Sequence, residues 1–286
     1  MSNELRSDLM KIYHATAFPK EPHGGNKAGV VVFADTMTDE EMQVIAANLG
    51  YSETAFVMHS DEADFSLRFF TPTKEVDLCG HATIASFNLL RDEGYINTGI
   101  YTQKTKAGLL RLEVEDELVS MEQLRPRYYE KLSDKDVQLM FEGSVDLHPT
   151  LPVEVVSTGL KEIFLPVASK EALDALKPKF GPMTDFCLSI GAIGVHAFCV
   201  DESGVDALSR NFAPVVGIEE ESATGTSNGA LGCYLFKHHT KKEIYHMEQG
   251  LFMKQPSSLV VRLKTIDDYI EEVWVGGPAN ILRVEE

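Results

Sequence analysis

Runs of β-branched and apolar residues recur along the chain at 28–33 (AGVVVF), 109–114 (LLRLEV), 153–157, 163–167, 195–200 and 259–263, and each predicts a strand. Between them lie helical patterns with start signals. Thr38 with Glu41 forms a capping box ahead of EMQVIAANLG, Ser133 with Asp136 forms a second, and Ser169 is placed to cap KEALDAL. Strands and helices mixed through the whole length, without low-complexity segments, predict an α/β or α+β protein.

Two segments break the amphipathic pattern. HATIASFNLLRDEGY after Gly80 is apolar on every side until Arg91 and closes at Gly94, which suits a C-cap; TSNGALGCYLFKHH after Gly225 is small and apolar all round until Lys237. A helix with no polar face has to be buried, so each is expected to run through the middle of its own domain with its start reachable from outside. The approach to the two is repeated. Arg68, Phe70 and Pro72 in RFFTP share their offsets with Arg210, Phe212 and Pro214 in RNFAP, and Gly80 follows its arginine by 12 residues while Gly225 follows by 15. This favours two similar domains, 1–125 and 126–286, divided near Arg125, Pro126 and Arg127, with the helix starts converging on a cleft.

Helix starts carry unpaired N–H groups, so Gly80 with His81, and Gly225 with Thr226, are candidate anion sites that would grip a carboxylate substrate. The plainer alternative is that Gly80 only turns the chain and that Thr226 and Ser227 only cap their helix. Acid/base candidates are Glu53, His81 and the run Glu219, Glu220, Glu221. Glu53 stands just before Ala55, Phe56 and Val57, where partial burial suits a carboxyl to proton transfer. In the glutamate run, at least Glu219 or Glu220 reads as solvated loop. Cys79 directly precedes Gly80, where a helix start stabilises a thiolate, and is an alternative acid/base. Its counterpart in the second copy is Thr224, which disfavours a symmetrical two-thiol racemase. Cys187, Cys199 and Cys233 read as small buried hydrophobes, and Lys237, His238, Lys241 and Lys242 as cations near a helix C-terminus.

Composition narrows the class. With 286 residues, 44% of them hydrophobic, the chain can bury a sizeable core. Its 26 basic against 44 acidic residues give a net charge of −18, a field that repels nucleic acid and anionic membranes. Four cysteines without Cys-x-x-Cys spacing suit reduced thiols in a cytoplasm. The start, MSNELRSDLMKIYHATAF, has no apolar h-region, and no stretch has the apolar length to cross a bilayer. No dinucleotide fingerprint, phosphate loop or zinc spacing occurs, so neither cofactor nor metal is expected.

The segments GGNKAGVVVFAD, SETAFV, RFFTPTKEVDLCGHAT, TGLKEIFLPV, RNFAPVVGIEEESATGTSNGALGCYL, QGLFMKQPS and VWVGGPA occur in that order between about residues 11 and 282. Together they resemble the PhzF-like family of phenazine-biosynthesis-type isomerases. The resemblance implies the diaminopimelate epimerase fold, an α+β architecture of two pseudo-symmetric domains, each a curved, mostly antiparallel sheet around a central helix. The last strand is a candidate to return to the first domain. It also implies that Glu53 is the proton-shuttling glutamate, that His81 is the active-site histidine, and that Asn26 lies near the cleft. Glu221 falls where the family usually has aspartate, and Thr226 where it has serine, while Gly225 keeps its glycine. Departures include Lys27 and Ser222 for prolines, and Met253, Lys254, Gln255, Pro256, Ser257 for the motif Met-Gly-Arg-Pro-Ser. Cys79 is similar to the cysteine of the Cys-Gly-His in proline-racemase-type enzymes.

The expectation is a cytoplasmic, cofactor-independent isomerase, a homodimer, acting on a small carboxylate-bearing metabolite, with Glu53, His81 and Glu221 catalytic and Asn26, Gly80, Gly225 and Thr226 holding the substrate. Two alternatives stand beside it: a one-thiol epimerase or dehydratase using Cys79, and a ligand-binding or regulatory protein without turnover.

Overall fold

In a computed structural model, which describes residues 11–22, 24–200 and 204–285, the predicted strand runs pair and the faceless helices are enclosed. The first ten residues, on which the reading of a start without an apolar h-region rests, lie outside the described residues. The chain divides into two compact units, residues 1–22, 26–121 and 277–286 in one, 23–25 and 122–276 in the other. The first contains β1 (Ile12–Ala17), β2 (Asn26–Val31), α1 (Asp39–Leu49), β3 (Thr54–Met58), β4 (Phe65–Phe70), β5 (Glu75–Val76), α2 (Gly80–Asp92), β6 (Gly99–Thr105), β7 (Gly108–Val114) and most of β8 (Val119–Gln123). The second contains β9 (Arg127–Lys131), α3 (Asp134–Met140), β10 (Glu154–Ser157), β11 (Lys161–Pro166), α4 (Lys170–Asp174), α5 (Phe180–Ile190), β12 (Val195–Val200), β13 (Ala207–Ala213), β14 (Ile218–Glu221), α6 (Gly225–His238), β15 (Ile244–Gln249), β16 (Ser257–Ile266) and β17 (Tyr269–Gly277). The last strand, β18 (Ala279–Glu285), pairs with β1 in the first unit.

Both units have one strand plan. In the first, strands neighbour one another in the order β18-β1-β2-β3-β4-β6-β7-β8, and in the second in the order β9-β10-β11-β12-β13-β15-β16-β17. Only β2–β3 and β4–β6, with their counterparts β11–β12 and β13–β15, run parallel. A parallel pair needs a crossover, and α1 and α2 supply it in the first unit, α5 and α6 in the second. The fold is α+β, each unit a largely antiparallel sheet around a buried helix. In the first, α2 packs on β18, β1, β2, β3 and β7, strands from both ends of the order, so the sheet curls round it.

Residues 81–90 of α2 and 227–236 of α6 are all buried. Four of the polar side chains among them survive burial by bonding back along their own helix: Thr83 Oγ1 donates to the Cys79 carbonyl (2.8 Å), Ser86 Oγ to Ala82 (2.7 Å), Asn88 Nδ2 to Ile84 (2.9 Å) and Asn228 Nδ2 to Thr224 (2.9 Å).

The repeated R-x-F-x-P element clamps the hairpin that leads into each buried helix. Arg68 bonds both Glu75 oxygens (2.7 and 2.8 Å) with its guanidinium 5.1 Å from the Phe70 ring centroid, and Arg210 bonds both Glu220 oxygens (each 2.9 Å), 4.9 Å from the Phe212 ring centroid. Of Glu219 and Glu220, at least one of which reads as solvated loop in sequence, Glu219 is exposed and Glu220 is held by a buried arginine, and both lie on β14 rather than in a loop. The Thr38 capping box forms in full and Ser169 caps α4, while at α3 the Asp136 carboxylate accepts from both the amide and the hydroxyl of Ser133. Helix α5 has no sequence start signal because Gly181 and Pro182 occupy its first turn, where proline needs no donor.

Gly194 lies at one of the tightest backbone approaches: a Cβ there would lie 2.0 Å from the Phe212 carbonyl oxygen and 2.8 Å from the Ala213 Cα. Gly194→Ala should cost about 3 kcal/mol or more in urea denaturation, since two strands must move apart. Gly181→Ala, with nothing within 4 Å, should change stability by no more than about 0.5 kcal/mol.

Candidate active site

In the first unit four predicted residues meet. Asn26 opens β2, Glu53 stands one residue before β3, Cys79 is the N-cap of α2 and His81 is its second residue. His81 is buried, and Glu53 Oε2 lies 3.4 Å from its Nε2, with the Glu53 side chain 16% exposed. On the other side of the ring, Asn26 Nδ2 lies 3.2 Å from Nδ1. An amide N–H can only donate, so Nδ1 accepts, and the neutral imidazole carries its proton on Nε2, aimed at the carboxylate. Ser52 Oγ, 3.5 Å from Nε2, adds a hydroxyl that sequence reading left without a role although it stands inside SETAFV. A carboxylate beside a fixed donor, itself half in solvent reach, can take a proton and return it.

Cys79 Sγ lies 3.5 Å from Nδ1 and 3.8 Å from Nε2 of His81. The near-equal distances put the sulfur off the line of either ring lone pair. Donor atoms of Glu53, Cys79 and His81 lie within 4.8 Å of one another, so among the described residues these three could hold a metal ion, provided the sulfur and a ring nitrogen both turned towards it. Cys187, Cys199 and Cys233 are buried and form no disulfide.

In the second unit, Thr224, not Thr226 or Ser227, is the N-cap of α6, and its hydroxyl donates to Glu221 Oε2 (2.7 Å) rather than to the helix. Gln249, which sequence reading quoted but gave no role, locks this corner: its Nε2 donates to the Glu221 carbonyl (2.7 Å) and its Oε1 accepts from the Thr224 amide (3.1 Å). No side chain caps the start of α2 or of α6, and Gly80, Gly225 and Thr226 are partly exposed. Both starts therefore present backbone donors of the kind an anion needs.

Deeper in the second unit two titratable groups are enclosed that sequence reading missed. Burial pushes the Glu162 carboxyl up to about 7, against hydrogen bonds from Ser227 and Asn211 that pull it down, and burial pushes the His196 imidazole down to about 3. For Glu162 the available signal is a carboxyl directly ahead of the apolar run IFLPV.

A model of the family described as phenazine biosynthesis-like protein matches residues 15–284. An uncharacterized isomerase of Escherichia coli strain K12, YddE, is 32% identical over 285 residues, covering 95% of this chain and 96% of that protein. The trans-2,3-dihydro-3-hydroxyanthranilate isomerase of Pseudomonas aeruginosa is 28% identical over 271 residues, covering 91% and 93%. Among solved structures, the Bacillus anthracis phenazine biosynthesis protein of the PhzF family superposes with a TM-score of 0.89 at 29% identity, over 96% of this chain and 98% of that one. A hydroxyproline epimerase from Agrobacterium vitis shares the fold at a TM-score of 0.62 and 12% identity, over 96% and 91%.

The two enclosed groups give stability opposite pH slopes. Glu162, raised from 4.5, contributes stability that is present below pH 4.5 and lost as pH rises through about 7; His196, lowered from 6.5, contributes stability present above pH 6.5 and lost as pH falls towards about 3. Glu162→Gln should remove the first slope, so that between pH 4.5 and pH 8 the variant loses about 3 kcal/mol less than the parent, read from denaturation midpoints at each pH.

Proposed function

The chain belongs to the phenazine biosynthesis-like protein family and is an isomerase, and we propose that it moves a proton on a small carboxylate-bearing metabolite, without a cofactor, by acid/base catalysis in a cleft between its two units. The observation that carries this reading is the Glu53 carboxylate 3.4 Å from Nε2 of a buried histidine whose other nitrogen is occupied by Asn26. Glu53 takes the proton from one carbon and delivers it to another. His81 donates from Nε2 to whichever oxygen carries the negative charge, and so holds the carboxylate in place through both transfers. The uncapped starts of α2 and α6 bind the substrate's anionic groups and the charge that develops on it, the electrostatic part of the catalysis. Glu221, tied to Thr224, tunes the second end of the site. The carboxylate class follows from these donors. A relative named for trans-2,3-dihydro-3-hydroxyanthranilate makes that compound one member of the panel to test, and the changes at Lys27, Glu221 and Ser222 are reasons to test others.

A second reading, a one-thiol epimerase or dehydratase, is favoured by one contact, the Cys79 sulfur 3.5 Å from His81 Nδ1. Its weakness is that Nδ1 already accepts from Asn26, so the thiol has no free ring lone pair to receive its proton.

Solvent deuterium incorporation into a panel of small carboxylates separates these readings. Glu53→Gln should lower exchange by about 100-fold or more with circular dichroism unchanged, and Cys79→Ser should retain it; exchange that survives the first substitution and dies with the second reverses the assignment. A Cβ on Gly80 would meet only the Met121 Cε, at 3.7 Å, so Gly80→Ala should fold normally yet lose roughly tenfold or more in kcat/KM, because the added methyl stands where the substrate's anion must approach. Wild-type turnover in that variant would show that the start of α2 does not touch substrate.

A further inference from the structure

The second unit buries a polar chain that the first unit lacks. Strand registers give the correspondence: Gly29 pairs with Thr54 as Ile163 pairs with Val195, and Ala55 pairs with Phe69 as His196 pairs with Asn211. Ala28, Ala55 and Phe69 of the first unit thus correspond to Glu162, His196 and Asn211 of the second, and Ala82, two residues after Gly80, corresponds to Ser227. Four apolar positions have become four polar ones, all buried and all in contact.

Asn211 Nδ2 donates to Glu162 Oε1 (3.0 Å) and lies 3.1 Å from His196 Nδ1 and 3.2 Å from Ser227 Oγ, while the Ser227 hydroxyl bonds Glu162. His196 faces Asn228, whose Nδ2 donates to Gln249 Oε1 (2.7 Å). Gln249 in turn donates to the Glu221 carbonyl and, at 3.1 Å, to Thr224 Oγ1, which donates to the Glu221 carboxylate. The polar groups line up from a fully enclosed carboxyl to the acid ahead of α6, with one step, His196 to Asn228, made by proximity alone, since His196 Nε2 and Asn228 Oδ1 have no hydrogen-bond partner. Replacing buried polar groups by apolar ones of similar shape is often neutral or stabilising, and the first unit keeps the same strand plan with the apolar set, so stability does not require this network.

We propose that Glu162 is a positioning residue of the active site, which anchors the first turn of α6 through Ser227 and is coupled to Glu221 across the side chains of Asn211, His196, Asn228 and Gln249. The functional meaning rests on Glu221 belonging to the active site; the coupling itself does not. The titratable groups that face Glu162 are Cys187 from α5, whose thiol burial and the nearby carboxylate push up to about 12, His196 from β12, held neutral, and Glu221 from β14.

The test is carboxyl carbon NMR of the full chain labelled with 13C at glutamate Cδ, with resonances assigned by Glu162→Gln and Glu221→Gln. In the parent, one enclosed carboxyl should titrate near neutral pH and vanish in Glu162→Gln, and in Glu221→Gln its midpoint should fall by about half a unit or more, because the neighbouring carboxylate that raises it has gone. Ser227→Ala, which removes a hydrogen bond that holds the Glu162 carboxyl down, should move the same midpoint up and serves if Glu221→Gln does not fold. A Glu162 midpoint that is the same in the parent, Glu221→Gln and Ser227→Ala overturns the proposal. A moved midpoint in a chain whose deuterium exchange is indifferent to Glu221→Gln would uphold the coupling and remove Glu221 from the reaction, so the two failures are distinguishable.

Discussion

A helix whose every side is apolar has no face to give to water, and each half of this chain is built around satisfying one such helix. Ten consecutive residues of α2 and ten of α6 are buried, which a flat sheet covering one side could not achieve. The sheet has to wrap, and it does so with the same strand order and the same two parallel pairs in each unit. Burial of the body leaves the helix start as the natural outlet. There the sequence places glycine, so the backbone donors at the end of a buried dipole can be reached from outside.

The scaffold is used twice and the chemistry is not. What recurs is structural: an arginine gripping a glutamate of the following hairpin strand and lying over a phenylalanine, at Arg68 and again at Arg210. What does not recur is the acid/base set. The position of Glu53 corresponds to Gly194, where the approach of the Phe212 backbone leaves no room for any side chain, and that of His81 corresponds to Thr226. The second unit therefore cannot carry a mirror-image general base, and the proposed reaction draws on one carboxylate–imidazole pair with the second unit supplying binding donors and an enclosed polar support. An acidic exterior is compatible with an anionic substrate on these terms, since the attraction is local and comes from backbone dipoles rather than from net charge.

Much of the scaffold was legible in sequence because it follows local rules: β-branched runs, the Thr38–Glu41 box, and two stretches with no polar face. The cluster of Asn26, Glu53, Cys79 and His81 was legible only as separate segments, since nothing local says that 55 residues of chain bring Asn26 to the far side of the His81 ring. The misreadings have physical causes. Thr226 and Ser227 look like caps, yet both lie inside α6 and the N-cap is Thr224, whose hydroxyl is taken by Glu221. Glu220 looks solvated because its partner, Arg210, is ten residues away across a hairpin. Lys254, where the motif resembled here has glycine, has φ 58°, so the backbone keeps the left-handed turn although the residue does not favour it.

The account stands on Glu53 and His81 meeting substrate as a pair. The most direct measurement is a crystal structure with a slowly reacting carboxylate from the exchange panel bound. The predicted result is a Glu53 oxygen within roughly 2.6–3.2 Å of the group that carries the migrating proton, with His81 Nε2 still facing that carboxylate and the substrate's anion at the start of α2. A ligand seated with the Cys79 sulfur nearest the reacting carbon and Glu53 turned to solvent would contradict it.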